Sequence, residues 1–271
     1  MLNTTQTERD KSASKDHKLK IAFELTLYKN MQSFFREYSK DFLNKYAKLE
    51  IMPDKTSYVA KLNKILLNHY GNVSKTFALN IVNALEKPDN HSKVLNSLDS
   101  AFNVHHDNRS KDSANIIMKT THEDALDALE RVKIQAAKDG VVNLTKQKLA
   151  EMARLKLDSS LVGRTKTISV TETQNPAEHA KQAEVDFLSW HRSTILGQNI
   201  AEAQKKKEWN TIMDGDERRA HGNANTQMVD FNMPYIVGGE KFMYPGDQSL
   251  GASIGNWINC RCSSIIIISA L

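Results

Sequence analysis

Three side chains near the C-terminus are of types that bind transition metals: the imidazole of His221 and the thiols of Cys260 and Cys262. Residues i and i+2 of a β-strand point to the same face of a sheet, so the two sulfurs can reach one ion. With His221, and with Asp247 as a fourth ligand, they have the composition of a tetrahedral zinc site. The chemistry that this pattern indicates is metal binding by soft ligands.

The same residues have a second interpretation, in which no metal is bound. Cysteines in structural zinc sites are usually about two to four residues apart, so the Cys-x-Cys spacing here is a weak zinc signal. Cysteine also behaves as a small buried apolar residue, while His221 and Asn259 can hydrogen-bond the backbone of nearby loops. We favour this interpretation, so no cofactor is expected. Zinc at His221, Cys260 and Cys262 is the alternative.

Two further groups of polar residues are of types that occur in active sites. Segment 214–219 is rich in Asp, Glu and Arg, but we interpret it as a turn whose exposed ion pairs are worth roughly 0–1 kcal/mol each. His-His-Asp at 105–107, with His122 further on, is interpreted as part of a polar loop. No glycine-rich phosphate loop follows a strand, and no nucleophile elbow is present. The sequence therefore predicts that the protein is not an enzyme.

The distribution of glycine predicts the elements that must position these residues. Seven of the eleven glycines lie between Gly215 and Gly255, which indicates a turn-rich unit. The chain before residue 208 has few helix breakers, which favours helix. The predicted fold is therefore α+β, with a mainly helical N-terminal region (about 17–208) followed by a small turn-rich β unit (about 209–271).

Periodicity and breakers give the bounds of these elements. Residues 1–16 are polar without periodicity and are predicted to be a flexible tail. The predicted helices cover about 18–49, 56–70, 74–87, 91–103, 122–138, 145–157 and 176–208, the last of them ending in Lys205, Lys206 and Lys207. The predicted strands cover 228–237, 241–244 and 259–269, with Gly238-Gly239 as a tight turn. Four consecutive isoleucines, 265–268, predict a central or covered strand.

An aromatic stripe runs along the first predicted helix and includes Tyr28, Phe35 and Phe42. A stripe of this kind must be buried against another apolar surface. We favour packing on the protein's own helices, and docking onto another subunit is the alternative.

Charge and cysteine usage restrict the class of protein. The formal net charge is +5, and the basic excess lies in the first hundred residues, which permits contact with nucleic acid without requiring it. The longest aliphatic run, Ile265–Ile268, is far shorter than a membrane span, so no membrane association is expected. A disulfide between Cys260 and Cys262 would be strained, and the chain is expected to fold in a reducing cytosol.

An ordered series of residues near the C-terminus resembles the phage head-morphogenesis family, the Mu F-like minor head proteins of tailed phages. Upstream, Thr171-Glu172-Thr173 before a long helix is similar to a Thr-Glu-Thr segment of that family. Members commonly have a basic residue before this segment, where Ser169-Val170 stands here, and some carry an extra cysteine pair that this chain lacks. The resemblance covers about 165–271. The matching series comprises Trp209, Asp214, Arg218, His221, Gly239, Tyr244-Pro245-Gly246-Asp247 and Asn259-Cys260-Arg261-Cys262.

Together with the resemblance, the sequence predicts three segments: a flexible tail (1–16), a helical region with a long amphipathic first helix (17–163) and a head-morphogenesis-like domain (164–271). The resemblance implies a minor virion protein that acts in capsid assembly and DNA packaging, at or near the portal vertex, by binding the portal protein or capsid proteins. Tyr28, Phe35 and Phe42 are then predicted to contact the partner. The protein is expected in the virion head, after assembly in the host cytoplasm. The alternatives are a virion protein that binds packaged DNA and an effector enzyme carried in the virion.

Overall fold

The fold is α+β, as predicted, with four long helices followed by small antiparallel sheets. A computed structural model describes residues 5–85, 91–141, 143–195 and 205–268. None of the described helices has an apolar stretch of the length that crossing a bilayer requires. The four long helices are α1 (Gln6–Leu49), α2 (Lys55–Leu85), α3 (His91–Lys138) and α4 (Lys146–Ile195).

These helices are longer than predicted because they continue through residues that usually end a helix. Gly71 lies inside α2, while Gly163 and Pro176 lie inside α4. The predicted helices 145–157 and 176–208 are thus parts of α4, which extends to Ile195. A proline in a helix costs about 3 kcal/mol through the lost N–H bond. Nearly every described residue around Pro176 is buried, and this burial offsets the cost.

The predicted break between the helices 18–49 and 56–70 and the predicted helix end at residue 138 are confirmed. Asp54 caps α2, because its carboxylate accepts hydrogen bonds from the backbone N–H groups of Thr56 and Ser57 at 3.2 and 3.0 Å. Gly140 ends α3 in the left-handed conformation, with φ of +70°. The break predicted at 88–90 lies outside the described residues.

The predicted flexible tail is helical over residues 6–16, which form the first turns of α1. The helix begins with a capping box, in which Thr5 N–H donates to the Glu8 carboxylate at 2.7 Å. Arg9 pairs with Glu208 at 3.0 Å and Asp16 pairs with Lys181 at 2.9 Å. A polar segment with little periodicity is therefore held by ion pairs to residues far away in the sequence.

The chain forms two compact units, each made of discontinuous segments. The predicted boundary between residues 163 and 164 falls inside α4. Unit 1 comprises Met1–Glu24, His69–His106 and Val170–Leu271, and unit 2 comprises Leu25–Asn68 and Asp107–Ser169.

The core of unit 2 contains the aromatic stripe. Phe35 and Phe42 are only 3% and 0% exposed, and Tyr38 meets Tyr58 of α2 edge to face, with ring centroids 5.1 Å apart. Packing on the protein's own helices is therefore confirmed. The prediction that Phe35 and Phe42 contact a partner is wrong, because their side chains lie in this core. Tyr28 is partly exposed and accepts a hydrogen bond from Gln32 at 2.9 Å.

The β part of unit 1 consists of a three-stranded antiparallel sheet in the order β2-β1-β5 and a hairpin of β3 and β4. Lys205, Lys206 and Lys207, predicted as a helix end, belong to the central strand β1. The predicted strand 228–237 is two strands separated by a turn. The strands are β1 (Lys205–Asn210), β2 (Met228–Asp230), β3 (Tyr235–Val237), β4 (Glu240–Phe242) and β5 (Ser263–Ile268).

Two predictions for this region are confirmed. Gly238 and Gly239 form the β3–β4 turn with φ of +59° and +82°, as a tight hairpin turn with both central residues left-handed requires. The isoleucine strand β5 is covered, because Ile266 and Ile268 are buried with Phe231 and with Val185 of α4.

Candidate functional site

The residues of the family-like series all lie in unit 1. Two short helices help to position them: α5 (Arg219–Asn223), which carries His221, and α6 (Ile254–Trp257), which precedes the Asn259–Cys262 segment. The site is therefore built from the sheet, these two helices and the middle of α4.

Trp209 is the centre of the apolar core beneath the site. Its fully buried ring lies edge to face against Tyr235 and His221, with centroids 5.3 and 5.6 Å away. Its indole N–H donates to the Thr211 hydroxyl at 3.0 Å, and that hydroxyl donates to the His221 carbonyl at 2.7 Å. Trp209 thus fixes the helix that presents His221.

His221 has a defined tautomer. Its Nε2 lies 2.9 Å from both the backbone carbonyl and the side-chain Oδ1 of Asn256, so Nε2 carries the proton. The Asn256 amide is oriented by its own donor bonds to Val237 O at 3.0 Å and to Glu240 at 2.9 Å. The Nδ1 lone pair of His221 is consequently left facing the two cysteines.

The two cysteine sulfurs converge on that lone pair. Nδ1 of His221 lies 3.4 Å from Sγ of Cys262 and 3.7 Å from Sγ of Cys260, and both cysteines are buried and free of disulfides. The structure thus brings together the three residues that the sequence offered as an alternative zinc site. The cluster is placed by left-handed backbone at Asn259, whose φ is +52°.

The interaction between the two cysteines shifts the pKa values of their thiols in opposite directions. The hydrogen bond from Cys262, together with the neighbouring His221, holds the pKa of Cys260 well below its usual range despite burial. The pKa of Cys262 is raised by its partner Cys260 and by burial. Burial lowers the pKa of His221. The hydrogen bond to Cys260 and the negative charge of the Cys260 thiolate outweigh burial, so the pKa of His221 is raised.

Asp247 is not part of the cluster, although it was considered as a fourth ligand. Its carboxylate accepts hydrogen bonds from the backbone N–H groups of Met243 and Ser249 at 2.9 and 2.8 Å. It therefore holds the Tyr244–Asp247 turn together, and this explains the spacing of that motif.

The Tyr244–Asp247 turn is fastened to α4. Gln174 donates to Pro245 O at 3.2 Å and to Cys262 O at 2.6 Å, while Asn175 donates to Gly246 O at 3.1 Å. Gly246 has φ of +84°, and a Cβ at this position would come within 2.9 Å of Gln174 Cγ. The close approach of turn and helix therefore requires glycine at position 246.

We expect Gly246→Ala to destabilise the protein more than Gly251→Ala. Both positions have left-handed backbone, with φ of +84° and +79°, so both substitutions cost about 1–2 kcal/mol. Only at Gly246 does the methyl group meet a buried side chain, which adds roughly 1–3 kcal/mol of overpacking. Urea unfolding of the two variants measures the difference. Equal losses would show that the contact with Gln174 is unimportant.

The Thr-Glu-Thr segment lies in the middle of α4, and each of its side chains has a hydrogen-bond partner. Thr171 Oγ1 accepts from the Asn259 backbone N–H at 2.9 Å, which joins α4 to the Cys-x-Cys segment. Glu172 accepts from the Tyr70 hydroxyl, and Thr173 Oγ1 lies 2.9 Å from His69 Nε2. Through these hydrogen bonds the motif joins α4 to the Cys-x-Cys segment and to α2.

Burial lowers the pKa of His69 to about 4 from its usual 6.5. Because this pKa is lower in the folded than in the unfolded protein, the unfolded protein takes up the proton first as pH falls below 6.5. The contribution of His69 to the free energy of unfolding is therefore full above pH 6.5 and is lost as pH falls towards about 4. The difference between these values corresponds to about 3 kcal/mol. We expect His69→Gln to remove this part of the pH dependence. Denaturation at pH 7 and pH 4 measures it, and a wild-type pH slope in the variant would contradict the assignment.

The Asp214–Arg219 segment begins as a turn, as predicted, but the ion pair of Asp214 is made with Arg261, outside the segment, and is not a local one. Arg261 binds Asp214 in a bidentate pair at 2.6 and 3.0 Å, and its hydrogen bond is the main reason that the pKa of Asp214 is lowered. Gly215 has φ of +89°. Arg218 donates to the carbonyl of Ile258 and so connects the turn to the end of α6.

The histidines at 105–106 do not form the predicted polar loop, because they lie within α3. His106 Nε2 is 2.8 Å from the hydroxyl of Ser74 inside unit 1. His122 belongs to unit 2, where its Nδ1 is 3.3 Å from the hydroxyl of Tyr38.

Sequence reasoning missed a buried charge network next to the site. Glu178 pairs with Lys20 at 2.6 Å and with Lys181 at 2.9 Å, and all three side chains are at most 3% exposed. Glu178 also accepts from Ser264 N–H at 2.8 Å, and Lys20 donates to Cys262 O at 2.9 Å. Burial raises the pKa of Glu178, but the lysines outweigh it and hold that pKa below its usual value. The network connects α1 and α4 to β5 and the Cys-x-Cys segment.

Comparisons of this chain with family models, curated proteins and solved structures identify no match.

Proposed function

We propose that the protein is a minor virion component that acts in head morphogenesis of a tailed phage, at or near the portal vertex, through protein–protein contacts. The proposal rests on the resemblance of the ordered C-terminal series. One observation supports it: residues of this series that are far apart in the sequence contact one another in unit 1. Thr171 is bonded to Asn259, Asp214 to Arg261, and His221 lies beside Cys260 and Cys262.

The geometry around the series favours binding over turnover. The cavity beside the Cys–His cluster has a volume of about 30 Å³, whereas ligand pockets usually measure roughly 300–1,000 Å³. The carboxylates of Glu172 and Asp247 accept hydrogen bonds from neighbouring groups of unit 1. General acid–base catalysis needs a titratable group facing the substrate, and these groups face their own fold.

A larger cavity in unit 1 does not change this interpretation. It has a volume of about 460 Å³, and its lining includes Lys11, Lys15 and the ion pair of Asp16 with Lys181. The pairing neutralises two of these charges, and Lys11 and Lys15 are exposed at the rim. Exposed lysines of this kind are typical of a solvated helix face.

Quantitative mass spectrometry of purified phage heads tests the proposal. Heads, tails and the unassembled cell fraction are prepared from the phage or prophage that encodes the chain. We expect the protein in the heads, at a low ratio to the major capsid protein, with the portal protein in the same samples as the internal standard. Confinement to the unassembled fraction would exclude a virion role.

A further inference from the structure

We propose that a Zn²⁺ ion binds to Nδ1 of His221 and to the sulfurs of Cys260 and Cys262. The three ligand atoms lie within 4.8 Å of one another, and all three residues are buried. Soft thiolates with an imidazole select zinc among the common divalent ions of the cell. The site does not depend on the proposed function, because it would stabilise unit 1 whatever the protein binds.

The distances fit a tetrahedral zinc ion. With Zn–S of about 2.3 Å and Zn–N of about 2.0–2.1 Å, the edge between nitrogen and sulfur of a tetrahedron is about 3.6 Å. The two observed separations, 3.4 and 3.7 Å, lie on either side of that length. A hydrogen bond explains only one of them, since a single Nδ1 lone pair accepts one S–H.

The surroundings of His221 are those of a metal ligand. Metal-binding histidines usually donate their other ring N–H to a carbonyl or carboxylate, which fixes the tautomer and the ring orientation. Here Nε2–H is held by the two oxygens of Asn256 at 2.9 Å. This bond turns the other ring nitrogen, Nδ1, towards the two sulfurs.

A cation also compensates the charge of the thiolates. Cys260 and Cys262 are 1% and 3% exposed, and a buried thiolate needs positive charge beside it. Binding displaces two protons of the cluster to solvent and forms two Zn–S bonds and one Zn–N bond. The resulting site, one Zn²⁺ with two thiolates and a neutral imidazole, carries no net charge.

The cavity beside the three ligands is large enough for one solvent molecule as the fourth ligand. Its volume is about 30 Å³, and a single water requires roughly 10–15 Å³ of such space. The cavity is lined by the cluster and by Asp216 and Glu217, whose carboxylates can accept hydrogen bonds from that water. Within the described part of the chain, His221, Cys260 and Cys262 are the side chains that lie close enough together to bind the ion. The ion then cross-links α5 to the segment that leads into β5.

Metal analysis of the full-length protein tests this inference. The chain is expressed without a histidine tag in zinc-supplemented medium, and zinc is measured by plasma mass spectrometry. We expect about one zinc per chain. The double variant Cys260→Ser/Cys262→Ser should lose it, whereas His17→Gln, which removes a histidine outside the cluster, should retain it. Wild-type protein with less than about one-tenth of a zinc per chain, even after incubation with Zn²⁺, would overturn the proposal.

Cobalt substitution keeps the test decisive if the serine variant does not fold. Wild-type protein is stripped with a chelator and titrated with Co²⁺. Two thiolate ligands in a tetrahedral site should give sulfur-to-cobalt charge-transfer bands in the near ultraviolet and visible d–d bands that saturate at one equivalent. Added Zn²⁺ should abolish both sets of bands. Absence of the bands would contradict the site.

Discussion

Replacing Glu178 with alanine is expected to lower the free energy of unfolding by about 3–5 kcal/mol, since it breaks a buried ion pair and leaves charge uncompensated. Lys20 and Lys181 would remain 1% and 3% exposed, and Ser264 N–H would lose its acceptor. Lys181 retains Asp16, so the main loss falls on Lys20. The substitution should also disturb the Cys-x-Cys segment, because the Lys20 amine donates a hydrogen bond to Cys262 O.

Urea unfolding measures this loss, and an exposed ion pair provides the control. Glu123 pairs with Lys119 one helical turn away at 4.0 Å, with side chains 57% and 68% exposed. Glu123→Ala should cost no more than about 0.5 kcal/mol. If Glu178→Ala and Glu123→Ala were equally stable, the buried network would not contribute to folding.

Phe35→Asp is expected to unfold unit 2 rather than to weaken binding to a partner. Phe35 is 3% exposed and lies edge to face against Phe34, with ring centroids 5.5 Å apart. The substitution removes an aromatic ring from the core, which costs about 3–5 kcal/mol. It also places a carboxylate at a position that is only 3% exposed, which adds further cost.

Leu25→Asp is the matched control, because Leu25 lies on the same helix and is 56% exposed. This change should cost less than about 1 kcal/mol, the difference in helix propensity. Circular dichroism and urea unfolding separate the two outcomes. A cooperatively folded Phe35→Asp protein with the stability of Leu25→Asp would contradict the placement of the stripe in the core.

The aromatic stripe shows what local pattern can predict. A helix with Phe35 and Phe42 on one face must bury that face, and the spacing is visible in the sequence. A change from helix to strand in the last third of the chain was also predictable from the cluster of glycines, but β1 begins at Lys205 and not after residue 208 as predicted. The continuation of α2 through Gly71 and of α4 through Pro176 was not predictable, since the penalties at these residues are offset by burial of the neighbouring residues against parts of the chain far away in sequence.

The lysine run at 205–207 was misassigned for a related reason. In β1, the side chains of Lys205 and Lys207 are buried and that of Lys206 is exposed, as expected for a strand. Because all three residues are lysine, this alternation cannot be seen in the sequence. The Lys207 amine donates to Met243 O at 2.7 Å and lies 5.2 Å from the centre of the Tyr235 ring. These partners are supplied by the tertiary fold, so the run alone resembles a solvated helix end.

The candidate site was only partly predictable. Histidine and cysteine are few enough that His221, Cys260 and Cys262 could be named together from their types. Lys20 and Glu178 could not, because a charged residue in a helical segment usually lies on the solvated face. Only the fold places them against the backbone of residues 262–264.

Co-expression with the portal protein encoded in the same phage genome tests most directly whether this chain acts by binding in the phage head. Size-exclusion chromatography with light scattering measures the complex, and nuclease treatment removes any bridging DNA. We predict co-elution at a fixed ratio that survives the nuclease. Separate elution of the two folded proteins would contradict a portal partner. Co-elution that the nuclease or moderate salt abolishes would instead indicate DNA binding, whose affinity falls steeply with salt.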